Sequence, residues 1–228
     1  MATSGTYTFN PSLGELTLYA YQLIGLRPTS LLQEHFNAAT TATNLMFTRW
    51  SNQGVNLWQV QFTTQTLTQG QQTYSVDPSV VVVLDAYVTT GTIPNAIDRV
   101  ILPISRTEYV SYPNKSQQGF PTTFWFNRQL SPTITLWPVP DGSQVSMTYA
   151  SVVRLQDANL TPTEQMDIPP IWLEAMVYGL AYRLAQIWAP DKVAIMKPMA
   201  DESYDIAAAQ NIETANQYIS PQIAGYFR

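Results

Sequence analysis

Cysteine is absent from the 228 residues, which excludes a disulfide framework and any thiolate chemistry. A single histidine, His35, cannot build a multi-histidine metal site. Charge is scarce: Asp, Glu, Lys and Arg make up 12% of the chain, against roughly 25% in ordinary domains. Thr, Gln, Asn and Ser fill the gap, either as surface that becomes buried against partners or as a merely neutral polar exterior. No run of Lys or Arg exists to grip a phosphate backbone, and the net charge is −5. The apolar run "VVVVL" at Val80–Leu84 is far too short to span a bilayer, so no membrane partner is expected. Met1 is followed by small polar residues rather than a basic region and an apolar core, so a secretory leader is not expected either.

What is present is an ordinary apolar fraction, 45%, in a chain long enough for one large domain or two small ones. After an extended arm, "MATSGTYTFN", the stretch "PSLGELTLYAYQLIG" reads as a helix. Ser12 and Glu15 form a capping-box pattern, and Leu13, Leu16, Ala20 and Leu23 share one face. Gly25 can end this helix and Pro28 discourages continuation. A second helix is predicted in "SLLQEHFNAATTATNLMFTRW". Ser30 and Gln33 repeat the capping pattern, and Leu32, Phe36, Ala39, Thr43, Met46 and Trp50 form its stripe. Its threonines lower helix propensity, so tertiary packing must hold it.

Beyond "SNQG" the rhythm changes to alternation. "NLWQVQFTTQTLTQGQQTYSV" predicts a hairpin around Gln69–Gly70. "AIDRVILPISRTEYVSY" adds extended residues. "TTFWFNRQLSPTITLWPVPDGSQVSMTYASVV" predicts three short antiparallel strands, with Asp141–Gly142 as a turn. Helical period returns in "IWLEAMVYGLAYRLAQIWA", whose apolar face carries Leu173, Met176, Val177, Leu180, Leu184, Ile187 and Trp188. A last helix, "DESYDIAAAQNIETANQYI", places Tyr204, Ala208, Asn211, Ala215 and Tyr218 or Ile219 on one side. The expected fold is α+β, a four-helix bundle with an antiparallel beta-rich module inserted between helices two and three. The expected divisions are an arm (1–11), helices one and two (12–55), the beta module (56–160), helices three and four (161–219) and a tail (220–228).

This order resembles the head-to-tail adaptor proteins of tailed bacteriophages, including tail tubular protein A of short-tailed phages and the tail accessory, or packaged-DNA stabilisation, factors. The matching pieces are "LLQEHFNAATTATNLMFTRWSNQGVNLWQVQ", "LTQGQQTYSV", "GFPTTFWFNRQLSPTITLWPVPDG" and "PPIWLEAMVYGLAYRLAQIWAP". They span most of Leu31–Pro190. The resemblance implies a homo-oligomeric ring, usually dodecameric, with the portal protein above and a nozzle, stopper or tail protein below. Double-stranded DNA would transit its channel without sequence-specific binding. It also implies a virion protein of the neck, made in the host cytoplasm, with no cofactor and no catalytic residue. The long C-terminal extension of the larger short-tailed-phage members is not matched here.

Several residues stand out as junction or interface candidates. Trp50 and Trp58 flank the helix-to-strand turn, where the resemblance places a tryptophan at each position. They either fix the angle between ring body and beta module or simply pack a core, and the two readings overlap. Phe120, between Gly119 and Pro121, packs on the sheet or meets a neighbouring subunit. Trp137, Pro138 and Pro140, with Asp141 and Gly142, form a stiff turn that is either a docking point or a plain hairpin. Phe9, Tyr226 and Phe227 are aromatics in the arms, expected to be buried by an adjacent chain. His35 beside Glu34 is not a catalytic pair, because neighbouring helical residues diverge by about 100°; a core-edge histidine is expected. Glu164, Asp167 and Glu174 are the best carboxylate group for glycosidic chemistry, but the first two precede paired prolines and the third suits a helix N-terminus. Arg27, Arg49, Arg99, Arg106, Lys115, Arg128 and Arg154 are scattered, with no aromatic interleaving. The rival functions are another neck or tail completion protein, an adaptor with peptidoglycan hydrolase activity, and a DNA-binding module, which the scattered positive charge opposes.

Overall fold

A computed structural model describes residues 5–6, 9–54, 57–92, 94–159, 164–165 and 167–211. Helix α1 (Leu13–Leu23) begins with the expected capping box: the Ser12 N–H donates to the Glu15 carboxylate at 2.8 Å, and the Glu15 N–H donates to Ser12 Oγ at 3.3 Å. It ends at Gly25, whose φ of +91° lets the Leu26 N–H return to the Tyr21 carbonyl at 3.0 Å.

Helix α2 (Gln33–Gln53) starts later than the Ser30–Gln33 pattern predicts. Ser30 lies in a short 3-10 turn and donates its hydroxyl to the Arg27 carbonyl. The capping group at α2 is His35, whose Nδ1 accepts from the Leu32 N–H at 3.1 Å. Starting there turns the helix slightly: His35, Ala39, Ala42, Thr43, Met46, Phe47 and Trp50 are buried, while Leu32 is exposed and Phe36 only half-buried. The hydroxyls of Thr40, Thr41, Thr48 and Ser51 each donate to the carbonyl four residues earlier, so this polar-rich helix satisfies these four on its own backbone, while the buried Thr43 hydroxyl has no hydrogen-bond partner in the described structure.

The inserted sheet contains β1 (Val60–Thr66), β2 (Thr73–Ser75), β3 (Val80–Thr90) and β4 (Ile97–Pro103). A short helix α3 (Arg106–Ser111) follows. Next come β5 (Gln118–Gly119), β6 (Thr123–Asn127), β7 (Thr133–Trp137), β8 (Val139–Pro140) and β9 (Gln144–Val153). The strand order is β1-β9-β3-β4-β6-β7-β2, with β5 and β8 as a separate parallel pair. Two expectations fail here. The Gln69–Gly70 turn does not close a β1–β2 hairpin, because β1 pairs with β9 and β2 with β7. After Asp141–Gly142, β9 does not fold back on β7; it runs between β1 and β3. The ten-residue β9 finds longer partners there than the five-residue β7 offers. The sheet is also mixed, since β4 meets β6 in parallel.

Its two edge strands are consecutive in sequence, joined only by residues 67–72. Seven flat strands at about 4.8 Å spacing would hold those edges about 29 Å apart, more than the roughly 24 Å such a link can span fully extended. The sheet therefore curls until its edges approach, and Gln65 Nε2 reaches the Ser75 carbonyl at 3.4 Å. Tyr74, Val88, Ile101, Phe124, Ile134, Leu136 and Met147 fill the interior.

The chain returns to the helices through residues 154–159. Asn44 on α2 holds this segment at both ends of its amide, donating to the Ala158 carbonyl at 3.1 Å and accepting the Ala158 N–H at 2.7 Å. Helix α4 (Leu173–Trp188) buries Met176, Leu180, Ala181, Leu184 and Ala185 against α1, α2 and α5 (Val193–Ala209). Ile187, expected on that face, is exposed. Helix α5 begins well before "DESYD" and packs through Met196, Ala200, Ser203 and Ala207, one position off the predicted stripe; Tyr204 and Ala208 flank that face half-buried. Among the described residues the result is four long helices with the sheet inserted between the second and the third, the α+β arrangement expected.

Candidate assembly surfaces

The junction between bundle and sheet is an aromatic cluster. The last turns of α2 bury Trp50, and the 3-10 turn Leu57–Gln59 presents Trp58 just before β1. Their rings meet through a third tryptophan. Trp172, 1% exposed, lies 5.3 Å from Trp50, 4.8 Å from Trp58 and 5.5 Å from Tyr204 on α5. Four chain segments thus share one aromatic contact, and turning the sheet against the helices would break its Trp58–Trp172 part. Burial raises the Tyr204 phenol above its ordinary value, against the lowering effect of the Arg49 charge and with a further raising effect from Asp205. Trp172 and Tyr204 were not among the predicted junction residues. The signal was available: Trp172, Met176 and Leu180 recur every four residues, which extends the α4 stripe one turn toward its start.

A second aromatic group holds the β7–β8 corner. Tyr112 stacks on Trp137 at 3.9 Å and Tyr109 on Trp125 at 5.3 Å. Trp137 Nε1 donates to the Asn114 carbonyl, and Gln72 Nε2 donates to both Tyr109 Oη and the Lys115 carbonyl. Val139 and Pro140 are buried, Pro138 is half-buried, and the Pro140 carbonyl accepts the Gly70 N–H at 2.9 Å. Trp137, Pro138 and Pro140 therefore do not project as a free loop tip; the segment after α3 clasps them. Phe120 packs against the sheet interior with the Arg99 guanidinium 5.1 Å over its ring.

Phe9 is 77% exposed and borders an apolar groove of about 370 Å³ with Leu16, Tyr19, Leu173 and Val177. Tyr226 and Phe227 lie outside the described residues. The exterior of the sheet also exposes Phe62, Val100 and Leu102.

His35 is a core-edge residue. It is buried, stacks on Trp188 at 4.1 Å and faces Tyr21 edge-on at 5.8 Å. Tyr21 donates its hydroxyl to the His35 carbonyl at 2.6 Å, and burial pushes its phenol up to about 12. The three carboxylates do not converge. Glu164 and Asp167 border one hollow, where Glu164 accepts the Asn159 N–H; Glu174 lines the separate Phe9 groove. Among the described residues no group of three or more His, Asp or Glu side chains could hold a metal ion. No described helix is long and apolar enough to cross a membrane. Two of the basic residues have local tasks: Lys115 Nζ donates to the Val110 and Tyr112 carbonyls, and Arg99 covers Phe120.

A protein-family model, that of the SU10 adaptor protein, matches residues 19–223. No curated protein matches the chain.

Proposed function

The chain belongs to the SU10 adaptor protein family, and from that membership we propose that its copies close into a dodecameric ring at the phage neck, joining the portal to the tail. Its role is that of a structural head-to-tail adaptor of the virion rather than an enzyme. The observation that carries the reading is the extent of the match, which runs from α1 through the whole sheet and past α5.

In this reading the work is geometric. The portal meets one face of the ring, and a nozzle, stopper or tail protein meets the other. The Trp50–Trp172–Trp58 cluster fixes the angle between bundle and sheet, so each copy presents both faces in one orientation. The divisions at 12–55, 56–160 and 161–219 mark ring body, inserted module and ring body again. Phe9 and the tail aromatics Tyr226 and Phe227 pack on an adjacent copy, and the Phe120 and Trp137–Pro140 region faces the next component. Double-stranded DNA passes through the lumen without sequence-specific contacts. Every phosphate gripped during transit would add friction, and scattered basic residues suit passage better than a basic stripe would.

Coexpression with the cognate portal tests this. Mass photometry and negative-stain images are expected to give closed rings of this chain on the portal. A chain that stays monomeric in the presence of that portal would overturn the proposal.

A further inference from the structure

A slot of about 330 Å³ borders the aromatic junction, between α2, α4 and α5. Met46 and Trp50 lie deep in it and are buried. The helices approach closely there: a Cβ added at Gly179 would lie 2.7 Å from Met46 Sδ. Tyr182 and Tyr204 add half-buried aromatic surface. Two cations share the slot, Arg49 from α2 and Arg183 from α4, and two acids, Asp201 and Asp205, line it one helical turn apart on α5.

The charges are arranged unusually. Arg183 is half-buried, and burial first, then the positive charge of Arg49, lower its guanidinium from the ordinary value. Like charges sharing a partly desolvated space are unfavourable unless an anion sits with them. Yet among the described residues neither guanidinium is hydrogen-bonded or ion-paired to Asp201, Asp205 or any other carboxylate. The cationic side of the slot is left with donors to spare.

We propose that this slot receives a carboxylate side chain of a partner polypeptide, with Arg49 and Arg183 as its donors and Trp50 beneath an apolar or aromatic neighbour of that carboxylate. A guanidinium fork matches a carboxylate in two parallel hydrogen bonds. The aromatic surface favours a group with an apolar side over a fully hydrated ion. Asp201 and Asp205 repel any anion, so the slot takes one carboxylate held by both guanidinium groups and an extended polyanion is the poorer occupant. The volume suits one or two side chains and no duplex. The proposal concerns a contact on one copy and does not depend on the symmetry of the ring or on its closure.

The test is a ¹H–¹⁵N NMR titration of the purified chain at fixed ionic strength. The probe is 3-phenylpropanoate, with 3-phenylpropanamide, inorganic phosphate and a short DNA duplex in separate arms. The carboxylate is expected to shift the Arg49 and Arg183 Nε–H and the Trp50 indole N–H saturably, and the amide to leave them unmoved. Arg183→Gln and Arg49→Gln are each expected to weaken that binding at least about tenfold. Arg49 is exposed, so its variant keeps the test open if Arg183→Gln does not fold. Equal binding of the amide, wild-type affinity in a folded Arg→Gln variant, or tighter binding of phosphate or duplex would overturn the proposal. Ring closure on the portal is a separate measurement, and either result can fail without the other.

Discussion

Replacing Trp172 tests whether one side chain couples the bundle to the sheet. It is 1% exposed and touches three other aromatic rings from three chain segments. Trp172→Ala removes that whole contact, and losses of this kind cost about 3–5 kcal/mol, a large share of the roughly 5–15 kcal/mol available to a domain. Trp172→Phe separates shape from chemistry. The smaller ring forgoes roughly 50 Å² of contact, about 1–1.5 kcal/mol. It also deletes the Trp172 indole N–H, which is buried without a hydrogen-bond partner in the described structure. Leaving such a donor unpaired costs about 1–3 kcal/mol. The two effects oppose each other, so Trp172→Phe is expected within about 1 kcal/mol of wild type. Urea unfolding of the purified chain, followed by far-UV circular dichroism, measures both, since five other tryptophans would blur a fluorescence readout. A cost below about 1 kcal/mol for Trp172→Ala, or equal costs for the two variants, would refute the reasoning.

Other outcomes follow from single groups. The Tyr21 phenol is raised to about 12 by burial, so its contribution is fully present below the ordinary tyrosine value and is lost as pH rises from about 10 toward 12; spectrophotometric titration is expected to show several late tyrosines, since burial also raises Tyr74, Tyr109, Tyr149 and Tyr204, and Tyr21→Phe is expected to remove one of them. Ser12→Ala removes the hydroxyl that accepts the Glu15 N–H while leaving the Ser12 N–H on the Glu15 carboxylate, and is expected to cost about 0.5–2 kcal/mol by urea unfolding. Glu164→Gln and Glu174→Gln are expected to leave virion assembly, and turbidity of purified peptidoglycan, unchanged; lysis by wild type that either variant abolishes while folded would restore the hydrolase. Removing residues 221–228 is expected to weaken attachment to ring or portal more than it lowers the thermal midpoint of the isolated chain, and equal loss in both would contradict the assignment of Tyr226 and Phe227.

Local signals in the sequence were read well and long-range pairing was not. Ser12, Glu15 and Gly25 act within one helical turn, so their pattern alone places both ends of α1. The face of α4 followed from spacing because that helix is long and strongly apolar. The start of α2 was misplaced because a histidine at the third helical position did the work that the Ser30–Gln33 pattern assigns to Gln33, an exchange that residue type does not announce. Strand pairing failed for a different reason. Turn residues such as Gln69–Gly70 and Asp141–Gly142 show where the chain bends, but not whether the flanking strands pair with each other. In this sheet β1 and β2 lie at opposite edges of a curled surface, and only the lengths of β3 and β9 favour the observed neighbours. Of the candidate residues, Trp50 and Trp58 were legible as a pair at the junction. The spacing of Trp172, Met176 and Leu180 could place Trp172 on the buried stripe, but that it meets Trp50 and Trp58, over a hundred residues earlier in the chain, is a long-range contact that no local pattern shows.

The central claim is that this chain forms the ring between portal and tail. Cryo-electron microscopy of the native particle's neck, with chains assigned by side-chain density, tests it most directly. The account expects a closed ring of this chain between portal and tail, with the bundle and the curled sheet held in one relative orientation in every copy. Density placing the chain elsewhere in the particle, or outside any closed ring, would contradict it.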